Sequence, residues 1–220
     1  MVTVKVNDER IKIPERFRLE EWTKLQQWDF DNPKHWPIII ETVTGLDRNL
    51  ISDAEEESLI LFMGFIISAM NKRQATSMKN LHDLNFGQFI DLDCFISLGI
   101  DKYMDKMLEI LEVETPWATE ALWAIEQFIM FRQSVYRKYK DLFGLEDTDF
   151  DADADLEPVD PMAVSRGWYA LIVDLANNDL LRLDRVTEEP LEKTLTFLQL
   201  KKEKALKEAQ EMRKTKQIKR

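Results

Sequence analysis

At 220 residues and 45% hydrophobic content, the chain can bury the core of a moderate-sized domain, which argues against global disorder. Its formal net charge of -11 repels nucleic acid and anionic lipid at long range, and its single cysteine, Cys94, excludes an internal disulfide and fits a reducing cytoplasm. The most apolar run, Leu59 to Met70, is shorter than the ~20 residues a bilayer span needs, and the N-terminus lacks the apolar stretch of a secretory signal.

In chain order, Val2, Val4 and Val6 alternate with polar residues, and Glu9 to Ile13 repeats the alternation after Asn7-Asp8. That pattern predicts a β-hairpin ended by Pro14. A lone hairpin is marginal in water. The next helix, with Leu19, Trp22 and Leu25 at three-residue steps, is its expected support. Asn32-Pro33 starts another helix, although the β-branched run Ile38-Ile39-Ile40 leaves a strand open there; Gly45 closes it. Ser52, with Glu55 three residues on, has capping-box spacing and predicts a helix to about Asn71. Because that helix is apolar around most of its surface, it is expected to be central in the core or partly covered by a partner.

The stretch that organises the chain runs from Leu84 to Leu111. Phe86, Phe89, Ile90, Leu92 and Phe95-Ile96, then Tyr103, Met107, Leu108 and Leu111, recur at helical spacing. Asn85 reads as an N-cap and Gly99 as the break between two short helices. Thr115-Pro116 starts a longer helix carrying Trp117, Leu122, Trp123, Phe128, Phe131 and Tyr136 and ending near Gly144, with Arg132 among its surface contacts. Glu146 to Asp160 then holds eight acidic residues and no basic one, which predicts an acidic linker or loop. Its alternating Asp invites a calcium reading, but counting from Asp147 or Asp149 puts Ala152 or Ala154 where an EF-hand needs Gly, and Pro158 or Asp160 where it needs Glu. Helical spacing resumes from Ala163 to Leu175, Asn177-Asn178-Asp179 turns, and a final helix begins near Pro190.

From Lys201 onward the apolar face fades and nine basic residues face three acidic ones. The first half of the helix, Leu191 to Leu200, is expected to pack on Trp168, Leu171 and Leu175. The second half, Lys201 to Arg220, is expected to be dispensable for folding and used for partner binding or self-association. Leu206 and Met212 would make the apolar contacts, while Lys201, Lys202, Lys204 and Lys207 steer toward an acidic surface, for which the acidic loop of a second copy is one candidate. The fold expected is mainly α: a multi-helix globular body with a small N-terminal β-hairpin and an extended C-terminal helix. Its divisions are 1–146, an acidic linker at 147–162, and a C-terminal helical segment at 163–220.

Signatures of chemistry are absent. His35 and His82 fit no metal spacing, and the six glycines form neither a dinucleotide-binding nor a P-loop pattern. Cys94 reads as an inert buried thiol, and the paired acids Asp91 and Asp93 mean little in so acidic a chain. The expectation is a non-enzyme with no cofactor, no metal, no nucleic-acid partner and no membrane.

Two segments carry a resemblance. Leu84-Asn85-Phe86-Gly87-Gln88-Phe89-Ile90-Asp91-Leu92, and Arg166-Gly167-Trp168-Tyr169 followed by Leu175 to Asp179 and the Pro190 to Leu198 helix with its Lys/Glu tail, resemble tail and baseplate-hub assembly chaperones of contractile-tailed, T-even-like phages. The resemblance covers about half the chain in pieces. It implies a non-catalytic helper in the host cytoplasm whose partner is the tail hub or tape-measure protein. The alternative is a permanent virion component such as an adaptor or connector-ring subunit.

Overall fold

The computed structural model describes residues 2–6, 9–52, 54–144 and 160–218. The acidic stretch at 147–159, the hairpin turn residues Asn7 and Asp8, and the last two residues of the tail lie outside the described residues. The chain is mainly helical and forms two compact units, Met1–Met78 with Val113–Glu126, and Lys79–Glu112 with Gln127–Arg220. The segment from 163 onward, set apart in the sequence reading, therefore belongs with 79–112 in the second unit.

In the first unit, β1 (Val2–Val6) and β2 (Glu9–Ile13) form the antiparallel hairpin, with Val2 opposite Ile13 and Val6 opposite Glu9. Ile11 and Ile13 are buried. β2 packs on α2 (Trp36–Thr44) rather than resting chiefly on α1 (Leu19–Leu25), because α2 buries the two isoleucines Ile39 and Ile40. The Ile38-Ile39-Ile40 run is thus helical. A 3-10 turn at Pro33–His35 precedes it, capped by Asn32, whose Oδ1 accepts from Lys34 N–H at 3.1 Å, and Gly45 closes it at φ +71°. The N-terminus of α1 is tied to the segment before α7 through Leu19 N–H to Pro116 C=O at 2.8 Å and Ala118 N–H to Phe17 C=O at 3.0 Å.

Ser52 does not start the long apolar helix. It ends a short α3 (Arg48–Ser52), and α4 runs from Glu56 to Met70 with Glu55 as its N-cap residue. α4 buries Phe62, Met63, Ile66, Ala69 and Met70. Ile60, Leu61 and Ile67, on its opposite face, are 52%, 52% and 37% exposed.

In the second unit, α5 (Phe86–Leu98) begins at Asn85, whose side chain accepts from Gln88 N–H at 2.7 Å while Gln88 Oε1 accepts from Asn85 N–H at 3.2 Å. That reciprocal pair satisfies two otherwise unpaired donors. Gly99, at φ +111°, makes the break to α6 (Ile100–Ile110). Phe95 on α5 stacks on Tyr103 of α6, with ring centroids 4.9 Å apart and planes 11° apart. α7 (Ala118–Lys138) contributes Gln127 onward to this unit, and α8 (Lys140–Phe143) ends at Gly144.

α9 (Pro161–Leu175) is capped by Asp160, and a tight turn with positive φ at Asn177 and Asn178 leads through a 3-10 turn to α10 (Leu183–Thr187). α11 (Leu191–Ile218) starts beside α5, where Phe86 N–H donates to Glu189 C=O at 2.8 Å and Leu191 N–H to Leu84 C=O at 3.3 Å. α10 lies against α5 at Gly87. A Cβ there would come within 2.9 Å of Thr187 Cβ and 3.2 Å of Thr187 O, so only glycine permits the approach. Gly87→Ala should therefore destabilise the protein by about 1–3 kcal/mol in urea unfolding. Gly167→Ala on α9, where a Cβ meets open space, should be neutral or stabilising by up to about 1 kcal/mol.

Candidate functional site

The apolar centre of the second unit encloses one buried carboxylate. Asp93 continues the face of α5 defined by Phe86, Phe89 and Ile90, so helical spacing aims a carboxylate where an apolar side chain is expected. Its side chain is fully buried. Three donors converge on it: Arg132 Nε on Oδ1, and Tyr136 OH at 2.9 Å and Trp168 Nε1 at 2.6 Å on Oδ2. Arg132 and Tyr136 stand one turn apart on α7, and the guanidinium also lies over the Tyr136 ring at 4.7 Å. Arg132 thus turns inward rather than making surface contacts along its own helix, because an unpaired charge at Asp93 would be far costlier than any exposed pair.

Aromatic rings enclose the cluster. Phe89 meets Phe128, Trp168, Phe131 and Tyr136 at centroid distances of 5.8, 6.0, 6.4 and 6.5 Å, and Phe143 closes on Tyr136 at 4.4 Å. Burial, with the Asp93 charge second, holds the Tyr136 phenol well above its ordinary value. Burial alone would lower the Arg132 value, but the neighbouring carboxylate and phenol raise it, so the guanidinium keeps its proton. Every oxygen of the carboxylate is occupied, so the cluster fastens three helices together and presents no free acid or base.

The other candidates also serve structure. Cys94 is half-buried rather than fully buried; burial raises its thiol value, opposed by Ser165, which leaves little thiolate at neutral pH. His82 packs edge-on against Phe131 at 5.2 Å, and His35 Nδ1 lies 3.2 Å from Asp29 N–H. Among the described residues no group of acids, histidines or cysteine could hold a metal ion.

The predicted binding residues lie along α11. Leu206 and Met212 are 54% and 61% exposed. Lys201 Nζ reaches Asp174 of α9 at 2.5 Å, and Lys202 Nζ donates to the Asp141 and Leu142 carbonyls at the end of α8. Lys204 pairs with Glu208 at 3.9 Å within the helix, and Lys207 is exposed. These residues therefore split: Lys201 and Lys202 anchor the helix to the body, while Lys204, Leu206, Lys207 and Met212 lie beyond the anchors. The buried face of α11, with Leu191, Leu195 and Leu198, packs against α5, the 3-10 turn Leu81–Asp83 and α8, not chiefly on α9 as its spacing suggests. α9 is already committed to α5 and α10 through Trp168 and its neighbours.

No protein-family model, characterised protein or solved structure matches this chain. None of the described helices is long and apolar enough to cross a membrane.

The Asp93 cluster is tested by Asp93→Ala, which strands the Arg132 charge and should cost about 3–5 kcal/mol in unfolding free energy. The Tyr136 phenol sets an alkaline limit. The folded chain holds this proton more tightly than the unfolded one, so its contribution is complete below about pH 10 and is lost as pH climbs above that value. Tyr136→Phe should lose about 1 kcal/mol at neutral pH and unfold with a flatter stability slope above about pH 10, measured by urea titration of both proteins.

Proposed function

We propose that the chain is a non-catalytic assembly chaperone that holds a helical segment of a phage tail hub or tape-measure protein during tail construction in the host cytoplasm. The observation that carries this reading is the course of α11 past Lys202. The helix passes the anchors at Asp141, Leu142 and Asp174 and continues with Leu206 and Met212 exposed among lysines. Such a helix gains little from its own packing, and its apolar and basic side chains suit an acidic helix or groove of a partner.

Of the two segments that resemble the chaperone group, the first contributes Phe86 and Phe89, which pack edge-on against Trp168 of the second at 5.8 and 6.0 Å. The parts of these segments before Lys201 build the body, and the Lys/Glu tail that ends the second one is left for recognition. Basic residues on the tail raise the encounter rate with an acidic partner, and Leu206 and Met212 supply the contacts that persist.

The experiment is truncation after Lys202, which keeps both anchors. The melting temperature should move by no more than about 2 °C, while capture of the tail hub or tape-measure protein from infected cells is lost. Truncation after Leu200 removes both anchors as well and should lower the melting temperature further. Retained capture by the first truncation overturns the assignment to the tail. Mass spectrometry of purified particles tests the role itself: a chaperone is absent, whereas a fixed copy number makes the protein a structural subunit.

A further inference from the structure

The exposed face of α4 carries a pattern that α11 does not. Ile60, Gly64, Ile67 and Asn71 follow one another at steps of four, three and four residues, and Leu61, Gly64 and Ser68 run beside them. All are exposed, and the apolar residues of the stripe are the ones described above as half exposed or nearly so. A Cβ on Gly64 would meet nothing within 4 Å, so the glycine leaves an open notch in the middle of the stripe and is not required by the packing of its own unit. The ends of the stripe have opposite charge. Glu56 and Glu57 stand exposed at the start, and Lys72 stands exposed just past the end.

We propose that α4 is a homodimer interface, in which two copies of the chain cross their α4 helices antiparallel at Gly64. The sequence around the glycine is complementary to its own reversal. With Gly64 against Gly64, Ile60 of each copy lies beside Ile67 of the other on one flank and Leu61 beside Ser68 on the other, Glu57 comes near Asn71, and the acidic start of each helix lies beside the Lys72 end of the other. A two-fold interface needs this self-complementarity, because each contact must occur twice with partners exchanged. The notch lets the two backbones approach to the short end of the 8–10 Å range of helix packing, and Ile60, Leu61 and Ile67 then close around it. The Glu56–Lys72 pairs favour the antiparallel direction, since the parallel one sets acid against acid. A crossing of about four turns buries less than the roughly 1,600 Å² of a standard stable complex, which places this contact among the weak, reversible ones. This surface is independent of the α11 tail, so the proposed chaperone role can fail while the dimer stands.

The test is sedimentation equilibrium of the full chain over roughly two decades of concentration around 10 μM, with circular dichroism to verify folding. Wild type should pass from monomer to dimer. Gly64→Gln fills the notch with a good helix former, should melt at the same temperature or higher, and should weaken the dimer about tenfold or more. Glu56→Lys and Lys72→Glu should each weaken it, and the two together should restore it, because the pairs reform with signs exchanged. Truncation after Lys202 should leave the dimer intact. A wild-type chain that stays monomeric throughout, a dimer indifferent to Gly64→Gln, or one lost with the tail would each overturn the proposal.

Discussion

A fully buried carboxylate tolerates no vacancy around it, and in the second unit that condition falls on Asp93. Moving a charge out of water costs several kcal/mol unless opposite charge and hydrogen bonds replace the solvent. Arg132, Tyr136 and Trp168 do so from two other helices, so α5, α7 and α9 share one geometric requirement. The rings around Phe89 then exclude water and strengthen the same bonds through a lower local dielectric. Apolar packing sets the spacing of these helices; the carboxylate adds a directional requirement that each donor must meet. Gly87 belongs to the same logic nearly two turns earlier on α5, where missing side-chain volume admits α10.

The remaining apolar surface has a different character. α4 and α11 each present exposed apolar side chains, but with opposite surroundings. On α4 they flank a glycine between acidic and basic ends, an arrangement that suits a copy of itself. On α11 they are isolated among lysines, which suits a partner of opposite charge. A contiguous apolar stripe on an exposed helix face is uncommon on protein surfaces.

What could be read from the sequence was local. The hairpin of β1 and β2, the Asn85 cap, the Gly99 break and the Gly45 end are each determined by residues within a few positions of one another, and these were legible. Ser52 shows the limit: the Ser-to-Glu spacing was present, but a short helix ended there instead, since a cap is decided by the backbone that enters it. Asp93 was missed for another reason. Its partners lie 39, 43 and 75 residues away, and no local pattern records them. The one available signal was position, an acid in register with Phe86, Phe89 and Ile90. Likewise, the spacing of Leu191 to Leu200 identified a buried face on α11 but not which neighbour had room for it. The anchoring role of Lys201 and Lys202 was equally invisible, because a lysine at a boundary reads the same whether it ties down or reaches out.

The two units are interleaved along the chain, and this constrains how the protein is made. Residues 79–112 belong to the second unit yet are synthesised before 113–126, which complete the first. On the ribosome, α5 and α6 emerge while the first unit still lacks its closing hydrogen bonds at Pro116 and Ala118. Asp93 then waits for the synthesis of 39 further residues before Arg132 exists, and of 75 before Trp168 does. During that interval the apolar face of α5 has no native cover, and slow or stalled translation lengthens the exposure. Neither unit can be expressed as one uninterrupted stretch of the gene, so dissecting the molecule requires a permuted or rejoined chain.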